Sequence, residues 1–200
     1  MMVADKEYYV CKDNCWNIGQ LIMIDEDATN SFFKFYDVFE SKVDGVYFKE
    51  YLENFNKEIS ESTDISKIKN CAEQALSVIR EQSMFIRELI FENVRTQEFQ
   101  YQELPSRKSG IWLCTKESLP FWFDELTRRG SRRIFKVNVT GKVHHGCENY
   151  LKNDVFSHEK YRENARAYWR GENINFKREE VLFVGKMTVQ GIFSDPSKVI

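Results

Sequence analysis

The sequence predicts an α+β fold, and three observations predict it. Short apolar runs of strand character stand near both ends of the chain. A long block of helical periodicity lies between them. The regular strand–helix–strand alternation of a wound parallel sheet is missing. With 200 residues, 42% of them hydrophobic, the chain can bury a full core, and one domain over residues 1–200 is expected.

The elements follow in order. Residues 7–11 and 20–24 read as two short strands around a turn at Asp13, Asn14 and Gly19. Polar helix-starting residues at 27–31 precede Phe32, Phe33, Tyr36 and Phe39, which have the spacing of a buried helical stripe. A second helix is expected over 48–59, with Tyr51, Leu52, Phe55 and Ile59 on one face. Asp64 is the expected N-cap of a third. Its apolar residues recur from Ile65 to Val94 at helical spacing, a length of roughly 50 Å at ~1.5 Å per residue, so a bend is expected at 81–83. The region from about 31 to 100 thus forms a helical lobe.

After Pro105 the character changes. Residues 110–115 read as a strand and 118–129 as a short amphipathic helix ended by Gly130. In the strand 133–140, Phe135, Val137 and Val139 face one way and Lys136 and Asn138 the other. Irregular chain is expected over 141–157, then a helix through Tyr168 and Trp169, and a last strand or hairpin over 181–192.

Composition narrows the function. The 29 basic and 31 acidic side chains leave a net charge of −2, without the basic excess of a protein that grips nucleic-acid backbones. Five cysteines, odd in number and irregularly spaced, make a poor disulfide framework and fit a reducing compartment. Residues 1–6 lack the design of a signal peptide, and no apolar run approaches the ~20 residues that span a bilayer. A cytoplasmic protein with no membrane partner is expected. An aromatic share of 14% supplies both core and cleft walls.

The chain contains no Gly-rich phosphate loop, G-x-S-x-G elbow, H-E-x-x-H or dinucleotide fingerprint. Cys11, Cys15, His144, His145 and Cys147 are zinc-ligand types, but they lack a finger spacing and Cys11 sits in an apolar strand, so no metal site is expected. The stretch 106–112 brings Arg107 into a buried strand. It forks onto a pyrophosphate, lies in an ordinary solvated loop, or packs back on the acidic helix face of Glu88 and Glu92. At the last strand, alternation puts Glu180 with Lys186, Thr188 and Gln190 and Glu179 with Val181 and Phe183. Glu180 is therefore the better cleft carboxylate.

Glu92-Asn-Val-Arg95, Leu104-Pro-Ser-Arg107, Ser109-Gly-Ile-Trp-Leu, Tyr168-Trp-Arg-Gly-Glu172 and Glu180-Val-Leu-Phe-Val-Gly185 together resemble the bacterial DUF2441-type family, and in outline an ADP-ribosyltransferase fold. The resemblance covers most of the chain, with the helical lobe as an insertion. It implies a split β-sandwich that holds NAD as substrate between two small sheets. Glu180 then takes the catalytic role at the late strand, Ser109 with Arg107 the second-strand role, and Trp169 a stacking role. Tyr9 stands where His or Arg is expected, with Lys12 nearby.

The implied function is ADP-ribosyl transfer to a macromolecular acceptor, protein rather than nucleic acid, in a toxin, phage-defence or effector role. The lobe would offer an antitoxin or homodimer surface. The competing expectation is an inactive module of the same fold that acts through a protein partner.

Overall fold

The computed structural model describes residues 1–13, 15–43, 45–59, 65–128, 130–152, 154 and 156–199, with residues 58 and 59 described by backbone alone. Its strands are β1 (Met2–Lys12), β2 (Leu21–Ile24), β3 (Lys42–Val43), β4 (Val46–Tyr47), β5 (Ile111–Leu113), β6 (Arg133–Cys147) and β7 (Glu179–Phe193). Its helices are α1 (Ser31–Val38), α2 (Phe48–Ile59), α3 (Ile65–Gln97), α4 (Leu119–Thr127) and α5 (His158–Trp169). The α+β class is as expected. Asn14, Asp64 and Arg129, which entered the expected turn, N-cap and helix end, lie outside the described residues.

The main sheet is antiparallel, in the order β1-β6-β7-β2, and β5 also pairs with β7. Beyond β5, Cys114 exchanges both backbone hydrogen bonds with Tyr9 of β1, each 2.9 Å. Strand β5 thereby links the β7 edge to the β1 edge and curls the sheet around an apolar interior. Tyr8, Phe135, Val137, Val139, Phe183 and Val189 fill that interior.

One expectation requires correction. Residues 141–147 are not irregular: β6 continues through them to Cys147 and pairs with β7 along its length. The reason is a glycine pair. Gly141 lies opposite Gly185, and a Cβ on either would come within 2.2 Å of the Val184 carbonyl or 2.5 Å of the Thr140 carbonyl. The two backbones approach too closely for side chains, and the Phe183 ring covers both positions. Glycine here carries the ladder onward instead of ending it, and His144 and His145 lie on a strand.

Helix α3 runs as one element for 33 residues, through the segment 81–83 where a bend was expected. Helix α1 docks at that point. Tyr36 donates its hydroxyl to Glu81 Oε2 at 2.5 Å and stacks on Phe85 with ring centroids 4.5 Å apart. Asn30 caps α1 by accepting from the Phe33 amide, 3.1 Å.

The C-terminal half of α3 packs beside α5 over the outer face of the sheet, burying Phe91, Val94, Ala165, Tyr168, Trp169 and Leu182. Helix α4 covers the neighbouring face with Leu119 against Tyr9, Cys11, Cys114 and Ile134. Among the described residues, no helix is long and apolar enough to cross a membrane.

Candidate functional site

Four polar side chains meet in the layer between α3, α5 and β7. Arg107, almost fully buried at 1% exposure, donates from Nε to Glu88 Oε2 at 2.5 Å and from Nη2 to Glu88 Oε1 at 3.0 Å. Its Nη1 donates to Glu180 Oε1 at 2.5 Å and to the Tyr168 hydroxyl at 2.7 Å. Tyr168 in turn donates to Glu180 Oε1 at 2.7 Å. Arg87 completes the set, binding Glu88 Oε1 through Nη2 at 2.7 Å and the Leu151 carbonyl through Nη1. Two carboxylates and two guanidiniums balance, which is how charges survive without water.

Each member is placed by its element. Glu88 projects from the inner flank of α3, between the buried Arg87 and Phe91. The loop bearing Arg107 is tied down by Glu92, which accepts from Ser106 Oγ at 2.8 Å and from the Arg107 amide at 3.1 Å. Asn30 adds Nδ2 bonds to the Arg107 and Gly110 carbonyls at 2.8 and 3.1 Å. Tyr168 fits because residue 146 is glycine: a Cβ there would lie 2.1 Å from the tyrosine ring.

The electrostatics follow from burial and partners. Burial alone would raise the Glu88 carboxyl, but Arg107 and Arg87 outweigh it and hold the group down to about 2. Burial opposes the Arg107 charge, yet Glu180 and Glu88 hold its pKa well above the usual arginine value. Burial lifts the Tyr168 hydroxyl well above the ordinary tyrosine range, which keeps it a proton donor.

Glu180 also lines a cleft of about 420 Å³, within the ~300–1,000 Å³ of small-ligand pockets. The other walls include Lys12, Trp112, Trp122, Leu126 and Arg132. Among the described residues, no hydrogen bond reaches Glu180 Oε2. The buried Trp112 indole N–H likewise has no hydrogen-bond partner among the described residues. Lys12 is pushed below the ordinary lysine value, first by burial. Arg132 pairs with Asp13 at 3.1 Å.

The residues singled out from the sequence therefore divide. Glu180 and Lys12 line one cleft, and Arg107 lies directly behind Glu180. Of the readings weighed for Arg107, the packing back on the acidic helix face is the one seen: the guanidinium binds Glu88, also grips Glu180, and is enclosed by them rather than open to a pyrophosphate. Ser109 is buried with Oγ unpartnered. Tyr9 is buried beneath α4 and donates its hydroxyl to Glu7 Oε1 at 2.5 Å. Trp169 is enclosed in the α3–α5 layer, its Nε1 donating to the Phe91 carbonyl at 2.8 Å, so it offers no open face for stacking.

Alternation separated Glu179 from Glu180 correctly, but the expected contrast of polar and apolar faces is absent at this end of β7. Both are buried, and Glu179 accepts from His145 Nδ1 at 2.7 Å. Cys11 packs in the sheet, Cys15 is exposed and Cys147 is buried. Among the described residues, no group of three or more His, Cys, Asp or Glu is placed to hold a metal ion. Reasoning from sequence passed over Trp112, Trp122 and Arg132 as cleft residues, and read Tyr168 as core. Tyr168 and Trp112 belonged to the quoted strings, but only folding shows which way their polar atoms point.

A curled antiparallel sheet under helices, with a buried ion network opening on an aromatic cleft, defines an α+β protein with a ligand-sized site. Residues 7–195 match the family model described as DUF2441, protein of unknown function, and the chain belongs to that family. A comparison with curated proteins finds no match.

Proposed function

We propose that the chain transfers ADP-ribose from NAD to a macromolecular acceptor, protein rather than nucleic acid, with Glu180 as its catalytic carboxylate. The observation that carries this is Glu180 itself: one oxygen is clamped by Arg107 and Tyr168, the other has no hydrogen-bond partner among the described residues, and the residue lines the cleft. A carboxylate held this way stabilises positive charge that develops on a ribose as its base departs. The bond between C1′ and the nicotinamide nitrogen breaks, nicotinamide leaves with the electron pair, and an acceptor heteroatom bonds to C1′ and sheds its proton. The cleft chemistry suits such a substrate, with Lys12 and Arg132 for phosphates and Trp112 and Trp122 for ring systems. A toxin, defence or effector role inside the cell follows the same resemblance.

The test is NAD turnover by the purified chain, read as nicotinamide release and as label transferred to lysate protein. Glu180→Gln is expected to reduce turnover by roughly 10²–10³-fold with the fold intact. Unchanged turnover would remove Glu180 from the role. The second reading, an inactive module that binds a protein partner, draws on the enclosure of Arg107 and the pinning of Tyr9 to Glu7. Calorimetry separates them: no heat with NAD and no thermal shift would favour the module.

A further inference from the structure

Strand β1 and the residue that follows β5 bring two thiols together in the wall of the cleft. Cys114 pairs with Tyr9 across the seam that curls the sheet, and its thiol donates to the Tyr9 carbonyl at 3.4 Å. Cys11 stands two residues along β1 from Tyr9, so strand alternation sends its side chain to the same face. Diagonal neighbours across a ladder are within side-chain reach. Both cysteines lie in the apolar cluster under α4, and both line the cleft that Glu180 borders. The two thiols are hydrogen-bonded to each other, and all five cysteines are free.

The pair is unequal. Its shared hydrogen bond, and burial after it, push the Cys114 thiol well above the ordinary cysteine value, so Cys114 is the member that keeps its proton. Cys11 is the more accessible of the two, 9% exposed against 3%. Its wall of the cleft also carries Lys12 and Arg132, and neighbouring cations favour the reactive thiolate. A lone buried thiol would have no second sulfur to close on. Here the second sulfur is already in contact.

We propose that Cys11 and Cys114 form an oxidisable dithiol that takes hydrogen peroxide, with Cys11 as the attacking sulfur and Cys114 as the resolving one. In the first step the Cys11 thiolate attacks a peroxide oxygen. The S–O bond forms, the O–O bond breaks, and the departing hydroxide takes up the proton that Cys11 has shed, leaving as water. Cys11 is then a sulfenic acid. In the second step the Cys114 sulfur attacks the Cys11 sulfur. The S–S bond forms, the S–O bond breaks, and the hydroxide leaves with the Cys114 proton as a second water. Two thiols have lost two electrons, and peroxide has gained them. In a reducing compartment such a pair rests as thiols and closes only when oxidant arrives. The site shares the cleft assigned to NAD, but its readout is the thiols themselves, so it stands or falls apart from that reading.

The test treats the reduced full chain with a few equivalents of hydrogen peroxide, alkylates the remaining thiols in denaturant, and maps the peptides by mass spectrometry. A linked pair of peptides bearing Cys11 and Cys114 is expected, lighter by two hydrogens than the reduced peptides and separated again by dithiothreitol. Cys114→Ser keeps a hydroxyl donor and is expected to stop the reaction at the Cys11 sulfenic acid, which dimedone captures on the Cys11 peptide. Cys11→Ser is expected to leave Cys114 open to alkylation. Cys11 and Cys114 both alkylated after a treatment that oxidises the exposed Cys15 would overturn the proposal. So would a disulfide joining Cys11 to Cys15, or dimedone on Cys114 instead of Cys11. The wild-type map decides the matter even if neither variant folds.

Discussion

Arg107 and Glu180 lie 73 residues apart in the chain, yet Nη1 of one is 2.5 Å from Oε1 of the other, both enclosed between α3, α5 and the sheet. The guanidinium also binds Glu88, so one side chain neutralises two carboxylates from different elements. It joins the helical lobe to the strand that bears the cleft carboxylate.

Removing that cation leaves two buried negative charges with Arg87 alone beside one of them. Arg107→Met is therefore expected to cost about 3–5 kcal/mol of stability, the penalty of breaking a buried pair. Adding Glu88→Gln and Glu180→Gln should recover much of the loss, because the charges no longer need a partner. Urea unfolding of the single and triple variants measures this, and a triple variant no more stable than Arg107→Met would contradict it.

The phenol of Tyr168 shares Glu180 Oε1 with Arg107. Tyr168→Phe is expected to cost about 1.5–3 kcal/mol, as for a hydrogen bond to a charged group. Gly146→Ala should be destabilising for a steric reason, since its methyl would enter the Tyr168 ring at 2.1 Å. Overpacking of this kind typically costs about 1–3 kcal/mol. Because the displaced phenol no longer reaches Glu180, the costs of Tyr168→Phe and Gly146→Ala should be less than additive in the double variant. Additive losses in thermal unfolding would mean that Tyr168 keeps its place.

His144 gives the fold a pH dependence of a stated sign. Burial lowers its pKa to about 4, and its ring nitrogen Nε2 lies 3.0 Å from the Tyr168 carbonyl, the place of a donor in the neutral ring. Above about pH 6.5 the residue is neutral folded and unfolded, and its contribution is complete. As pH falls toward 4, only the unfolded chain takes up the proton, so stability declines by up to about 3 kcal/mol. His144→Gln is expected to flatten this part of the profile. Glu88 acts lower: its contribution is present above about pH 4.5 and is lost as pH falls through about 2, and Glu88→Gln should flatten only that limb.

Much of this arrangement was legible in the sequence, and what was not has physical causes. The order of elements was visible because Phe135, Val137 and Val139 alternate and because α3 repeats its apolar residues at helical spacing. The continuation of β6 past Gly141 was hidden, since glycine signals a turn unless a second glycine faces it across the ladder, and Gly185 lies 44 residues on. That Glu179 and Glu180 face opposite ways was legible from strand parity, though both are buried. The clamp on Glu180 was not, because Arg107, Glu88 and Tyr168 meet only when the loop, α3 and α5 have packed. Trp169 was misplaced as a platform because it turns into the same buried layer as its neighbour Tyr168.

Lys12 separates stability from ligand binding. It is half-buried in the cleft wall, burial depresses its pKa, and among the described residues no carboxylate lies within ion-pair distance of its ammonium. Asp13, which favours the charge from nearby, is itself engaged by Arg132 at 3.1 Å. The ammonium lies over the Trp16 ring, 5.8 Å from its centroid, but a cation that gives up water without an internal counter-charge costs stability, and an anionic ligand in the cleft would supply that counter-charge. Lys12→Met keeps the aliphatic stem and removes the charge, so the free protein should be unfolded by urea at the same or a higher concentration. If phosphates bind here, NAD affinity should fall by roughly tenfold, equivalent to about 1.4 kcal/mol, while Glu180→Gln leaves binding closer to wild type and removes turnover. A destabilised Lys12→Met that binds NAD as before would show instead that Lys12 serves the fold and that the phosphates lie elsewhere.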